Sequence, residues 1–265
     1  MGGSRERTVL SMLLLEAGHV VPIDRLIDAV WGEDPPVTAR GQIQFCISAL
    51  RRRAVAACGV DPIETRRPGY VIHLGEHTFD LHGFEEKVNA GRAARAGGDP
   101  AEAARVLRAA LDLWRGPALA DIDSTLLRRG VNRLDERRLT VIGEALECAL
   151  LAGEHHEAIG ELRTLVGDRP LHEHFWALLM TALHSAGRQA EALDAYRAAR
   201  RVLRDELGIE PGSELRHLHE ALLSGIYQAP RLTPPPAVSR PPRESAPPVP
   251  EEPEPQPVAA EPADP

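Results

Sequence analysis

Apolar residues recur along the first eighty positions with a spacing that shifts from element to element. Val9, Leu10, Leu13 and Leu14 stand at i, i+1, i+4 and i+5, one side of a helix that Gly18 is suited to end. Val20-Val21 reads as extended; Pro22 and Asp24 then open a second helix with Leu26, Ile27, Val30 and Trp31 inward, closed by Gly32 and Pro35-Pro36. A third helix is predicted over 37–54, where Ile43, Ile47, Leu50 and Ala54 wind one apolar stripe along one side. Arg40, Gln42, Gln44, Phe45, Ser48, Ala49, Arg52 and Arg53 are left on its outer and flanking positions. Residues 63–66 and 70–73 then read as two short strands joined by Arg67-Pro68-Gly69, a tight turn with arginines at its tip.

From residue 83 to 225 the chain is almost continuously helical in pattern, rich in Ala, Leu, Arg and Glu. A G-x-x-x-E-A motif appears at Gly98, Gly153 and Gly187, and the last two stand 34 residues apart, the tetratricopeptide period. Glycine suits the turn between two antiparallel helices and alanine lets them approach closely. The stripe Leu146, Leu150, Ala158, Leu162, Leu165, Trp176, Leu179, Leu183, Leu193 and Tyr196 is therefore expected to be core rather than a cofactor box. The pattern changes at about residues 80–84, the expected junction of two domains.

The composition adds a third region. Residues 230–265 hold 14 of the 23 prolines and no Ile, Phe, Trp or Tyr. Such a segment cannot bury enough apolar area to offset its ordering entropy, and a disordered, acidic tail is expected. Two uses are open to it, a solvated end or a docking segment.

Several function classes drop out on chemistry. Lys87 is the only lysine and follows Glu86, which excludes a Walker A loop, and neither G-x-G-x-x-G nor G-x-S-x-G occurs. Cys46, Cys58 and Cys148 lack C-x-x-C spacing and read as free thiols of a reducing cytosol. The pairs His155-His156, His172/His174 and His217/His219 diverge on a helix and match no zinc pattern, so no metal, cofactor or catalytic residue is expected. No apolar stretch approaches the ~20 residues that span a bilayer, and no signal-peptide pattern follows Met1, so a cytoplasmic protein without membrane contact is expected.

Charge points the other way from the global balance of -8. Between Arg40 and Arg67 there are six arginines against Asp61 and Glu64. Attraction to phosphate is set by charge within about 10 Å, so this local excess outweighs the total. An outward polar helix face beside an arginine-tipped hairpin reads as a binder of double-stranded DNA. Arg40, Gln44, Ser48 and Arg52 are the expected base contacts, and Arg51, Arg53, Arg66 and Arg67 the expected holders of phosphates or the minor groove. A run such as Arg51-Arg52-Arg53 taken by itself is equally a solvated surface.

These residues also carry a family resemblance. Val21-Pro22-Ile23-Asp24-Arg25-Leu26-Ile27-Asp28-Ala29-Val30-Trp31-Gly32, Pro36-Val37-Thr38-Ala39-Arg40, Ile47-Ser48-Ala49-Leu50-Arg51-Arg52 and Pro68-Gly69-Tyr70 resemble the OmpR/PhoB-type winged helix of the Streptomyces antibiotic regulatory protein family. Leu111-Asp112-Leu113-Trp114-Arg115-Gly116-Pro117-Ala118-Leu119-Ala120-Asp121 and Asp205-Glu206-Leu207-Gly208-Ile209-Glu210-Pro211-Gly212 resemble the bacterial transcriptional activator domain that follows it there. The resemblance implies a mainly α protein. Its parts would be a winged helix-turn-helix with a small C-terminal β-hairpin over 1–78, a tetratricopeptide-like activator domain over 79–229 and a disordered tail over 230–265. It also implies an activator of a secondary-metabolite gene cluster that binds direct repeats near promoters as a homodimer and contacts RNA polymerase. Two departures stand out: the family's leading β-sheet is expected to be missing before the first helix, through a misplaced start codon or an uncovered flank, and Ala49 occupies a position where arginine is common. The rival reading is a tetratricopeptide adaptor without DNA binding; an enzyme is a third, for which no nucleophile and base are paired by spacing.

Overall fold

The computed structural model of the chain describes residues 3–74, 80–120, 122 and 124–227; the expected tail over 230–265 and the expected boundary at 78/79 lie outside the described residues. The first part comprises α1 (Ser4–Leu15), β1 (Val21–Pro22), α2 (Ile23–Trp31), α3 (Ala39–Cys58), β2 (Ile63–Arg66) and β3 (Gly69–Ile72). The three strands form an antiparallel sheet in the order β1-β3-β2. Register is set by Ile63 opposite Ile72 and Val21 opposite Tyr70. Val9, Leu13, Leu26, Ile43, Ile47 and Ile63 close the core between the helices and this sheet, as apolar spacing alone requires.

Three expectations are corrected in detail. α3 starts at Ala39 rather than Val37, which is fully exposed, and runs on through Ala54–Ala57 to Gly59, a left-handed cap at φ 77°. Ala49 lies inside, only 7% exposed, because the true stripe takes in Ala39 and Cys46 and is wider than the spacing of the larger side chains alone indicates. The second strand of the hairpin begins at Gly69, and the N–H of His73 donates to the Pro62 carbonyl at 2.8 Å beyond the strand end. Cys46 and Cys148 are free and buried, and burial pushes both thiols up.

The second part comprises α4 (Asp80–Ala96), α5 (Pro100–Leu111), α6 (Thr125–Leu151), α7 (His155–Asp168), α8 (Glu173–Ser185), α9 (Gln189–Leu207) and α10 (Ser213–Leu223). The three G-x-x-x-E-A motifs are one structural device. Gly98, Gly153 and Gly187 take φ of 83°, 89° and 75° at the ends of α4, α6 and α8. The N–H of the next residue bonds back five positions in each, Asp99 to Ala94, Glu154 to Ala149 and Arg188 to Leu183, at 2.8–3.0 Å. Ala103, Ala158 and Ala192 are then completely buried where the paired helices touch.

The 27-residue α6 is the spine. Val141, Ala145 and Cys148 pack with Phe84, Val88 and Leu107 of α4 and α5, while Leu139 and Leu146 pack with α7 to α9. Ion pairs Glu85–Arg137, Arg92–Glu144 and Arg95–Glu147 each span 52 residues, so α4 and α6 run parallel in fixed register. The start of α6 leaves this domain altogether. Leu127 belongs to the winged-helix core, and the buried Ser124 hydroxyl donates to the Ala29 carbonyl at 2.6 Å while accepting the Leu127 N–H.

At the other end of α4 and α6, His174 Nε2 lies 3.3 Å from Glu147, which also accepts from Arg95 at 2.7 Å. The carboxylate raises the imidazole above its usual 6.5, and the imidazole hydrogen bond in turn holds Glu147 below 4.5. A raised imidazole stabilises the fold fully below pH 6.5 and loses that contribution as pH rises through the folded value; the carboxylate's contribution is present above 4.5 and lost as pH falls. Burial lowers the pKa of His172, stacked on Phe175, so its contribution carries the opposite sign. The parent is therefore expected to exceed His174→Gln in urea midpoint by more at pH 6 than at pH 8.5. An equal gap at both pH values would show that the pair carries no pH-dependent stability.

Candidate nucleic-acid interface

Burying Ala39, Ile43, Cys46, Ile47 and Leu50 turns the opposite side of α3 outward. Arg40, Gln44, Phe45, Ser48 and Arg52 are all exposed on it. The Ser48 hydroxyl donates to the Gln44 carbonyl at 2.9 Å, and its oxygen remains able to accept. Gln42 is turned toward α1: it accepts from Arg5 at 2.6 Å and donates to Thr38 at 2.9 Å, while the Arg5 guanidinium lies over the Trp31 ring.

The six arginines of this region divide in two. Arg51 is committed to the fold. Its Nε and Nη2 donate to the Ile63 carbonyl at 3.1 and 2.8 Å, Nη2 reaches Thr65 Oγ1 at 2.8 Å, and Asp61 lies 3.2 Å away. This fork pins β2 to the last turns of α3. Arg53 is paired with Glu6 of α1. Arg40, Arg52, Arg66 and Arg67 are exposed and have no hydrogen bond or ion pair among the described residues. Two of these four lie on α3 and two at the β2–β3 turn.

The turn itself is held from behind. Pro68 accepts from the Ile23 N–H at 3.3 Å, and β3 is paired with β1 on one side and β2 on the other. A Cβ on Gly69 would stand 1.8 Å from the Val21 carbonyl oxygen, so only glycine lets the strands come this close. The hairpin tip is thus a fixed projection whose free charges are Arg66 and Arg67. Sequence reasoning misses the Arg51 fork and the Arg53–Glu6 pair. Their partners lie 12 and 47 residues away, and nothing local announces them.

Both halves match known families. Residues 2–72 match "Transcriptional regulatory protein, C terminal", and residues 79–223 match "Bacterial transcriptional activator domain". The regulatory protein DnrI of Streptomyces peucetius is 37% identical over 227 residues, covering 83% of this chain and 84% of its own length. Regulatory protein AfsR of Streptomyces griseus is 36% identical over 89% of this chain, which spans only 24% of that longer protein. The solved structure of Mycobacterium tuberculosis EmbR, in complex with a low affinity phosphopeptide, superposes with a TM-score of 0.81 at 36% identity, over 84% of this chain and 60% of that one. The two matches fall on the winged helix and on the helical repeat of this one chain, in that order. The chain belongs to the Streptomyces antibiotic regulatory protein family of DNA-binding transcriptional activators.

Proposed function

We propose that the protein is a cytoplasmic activator of a secondary-metabolite gene cluster. In this reading it binds direct repeats beside promoters as a homodimer and contacts RNA polymerase through the helical domain. α3 enters the major groove, with Arg40, Gln44, Ser48 and Arg52 toward the base edges, while Arg66 and Arg67 take backbone phosphates or the minor groove. Arg51 and Arg53, whose guanidiniums already have partners in the fold, act as positioning residues that hold the wing and α1 against α3.

The observation that carries this is the split among the arginines. Four exposed guanidiniums without an internal partner among the described residues line α3 and the turn, in a chain whose net charge is -8. Cations kept unpaired in an acidic protein are available to a polyanion. The regulatory role is supported by the relatives, which are named as regulatory proteins of Streptomyces and Mycobacterium.

Arg66→Ala tests the wing. Removing the cation from one neutralised phosphate makes the dependence of log Kd on log salt shallower by ~0.9. The variant is therefore expected to bind every duplex more weakly and with a slope reduced by about that amount. Anisotropy titrations over a salt series read both quantities. An unchanged slope would remove the wing from the phosphate backbone.

A further inference from the structure

Phe45 is out of place by the ordinary logic of burial. It is 66% exposed in the middle of a well-formed helix, on the face that carries Gln44, Ser48 and Arg52, and no ring contact or cation of the described residues covers it. Two of its neighbours along the helix are small. Gly41, one turn earlier, has nothing of the chain within 4 Å of where a Cβ would stand, and Ser48, one turn later, folds its hydroxyl back onto the Gln44 carbonyl. The ring therefore stands clear of Gly41 and Ser48, with the free cation Arg52 two turns later on the same face, and on its α1 side it walls a cavity with Arg5, Glu6 and Gln42. A helix that carries the free cations Arg40 and Arg52 on its exposed side selects nucleic acid over an apolar protein partner, and the major groove offers one apolar group on its floor, the C5 methyl of thymine.

We infer that Phe45 is a specificity-determining residue that reads thymine by packing its ring against the C5 methyl, fixing one thymine in each half-site. This rests on α3 being the major-groove element. The apolar contact complements the polar ones: Gln44 and Arg52 address donors and acceptors that other base pairs share in part, whereas the methyl distinguishes thymine from every other unmodified DNA base.

The test separates the methyl from everything else. A duplex bound by the full chain is taken from a random pool, and each thymine is replaced in turn by deoxyuridine, which lacks only that methyl. The parent protein is expected to lose about fourfold in affinity at one position per half-site, corresponding to the ~0.8 kcal/mol of one buried methyl-sized group. Phe45→Ala is expected to bind the thymine duplex more weakly and to bind the thymine and uracil duplexes equally, with an unchanged thermal midpoint because the ring is exposed. Phe45→Leu should retain part of the discrimination. If Phe45→Ala still bound DNA and still preferred thymine at the same position, or if it weakened both duplexes alike while the preference persisted, the inference would be overturned with the DNA-binding reading intact. If the parent bound no duplex in a salt-dependent way, the reading beneath it would fall as well.

Discussion

Leu127→Ala is expected to lower the unfolding free energy by ~2–5 kcal/mol, the range for truncating a fully packed leucine. Leu127 lies at the start of α6 in the activator domain, yet it is 2% exposed inside the winged-helix core with Val9, Leu26 and Ile47. The cavity would open in the DNA-binding part, so a fall in DNA affinity at elevated temperature should track the melting of secondary structure. Leu207→Ala, at a site 52% exposed on α9, should stay within about 0.5 kcal/mol of the parent. Urea unfolding followed by circular dichroism decides between them. A cost for Leu127→Ala as small as that for Leu207→Ala would mean the two halves do not share a core. The Ser124 hydroxyl, bonded across to the Ala29 carbonyl, makes the same junction directional.

Gly69→Ala is expected to be the most damaging change in the wing. The new methyl group would lie 1.8 Å from the Val21 carbonyl oxygen and 2.7 Å from Pro22 Cα, both backbone atoms that no side-chain rotation can clear. Either β1 separates from β3 or the β2–β3 hairpin swings away, at a cost at or above the ~3 kcal/mol upper end of overpacking. Because Arg51 reaches the Ile63 carbonyl and Thr65, displacement of the hairpin also disturbs the end of α3. DNA affinity is thus expected to fall further than in Arg66→Ala, which removes one charge from an undisturbed scaffold. Equal affinities for the two variants would indicate that the hairpin geometry contributes nothing beyond its charges.

Legibility follows the range of the interactions. The helices of both domains are readable because their signals repeat every three or four residues, and the G-x-x-x-E-A turns because one motif performs one task at Gly98, Gly153 and Gly187. The outward placement of Gln44, Phe45, Ser48 and Arg52 follows from the same periodicity. Ala49 escapes it because the inner face widens to admit small residues, a matter of how closely α3 approaches its neighbours. Arg51 reads as a free cation in the sequence because Asp61 and Thr65, its partners, meet it only after the chain has turned. The docking of Ser124 onto Ala29 spans 95 residues, and no local pattern encodes a contact of that length. Candidate DNA contacts are thus legible as a face, but which arginines are free and which are structural depends on the fold.

The most direct test of the central claim is selection of bound duplexes from a random pool by the full chain at two salt concentrations. Enrichment of a direct repeat with half-sites about one helical turn apart, ~10–10.5 base pairs, with retention falling steeply as salt rises, is the predicted result. Failure to retain any duplex at either salt concentration would contradict the assignment of α3 and the wing as a DNA-reading surface.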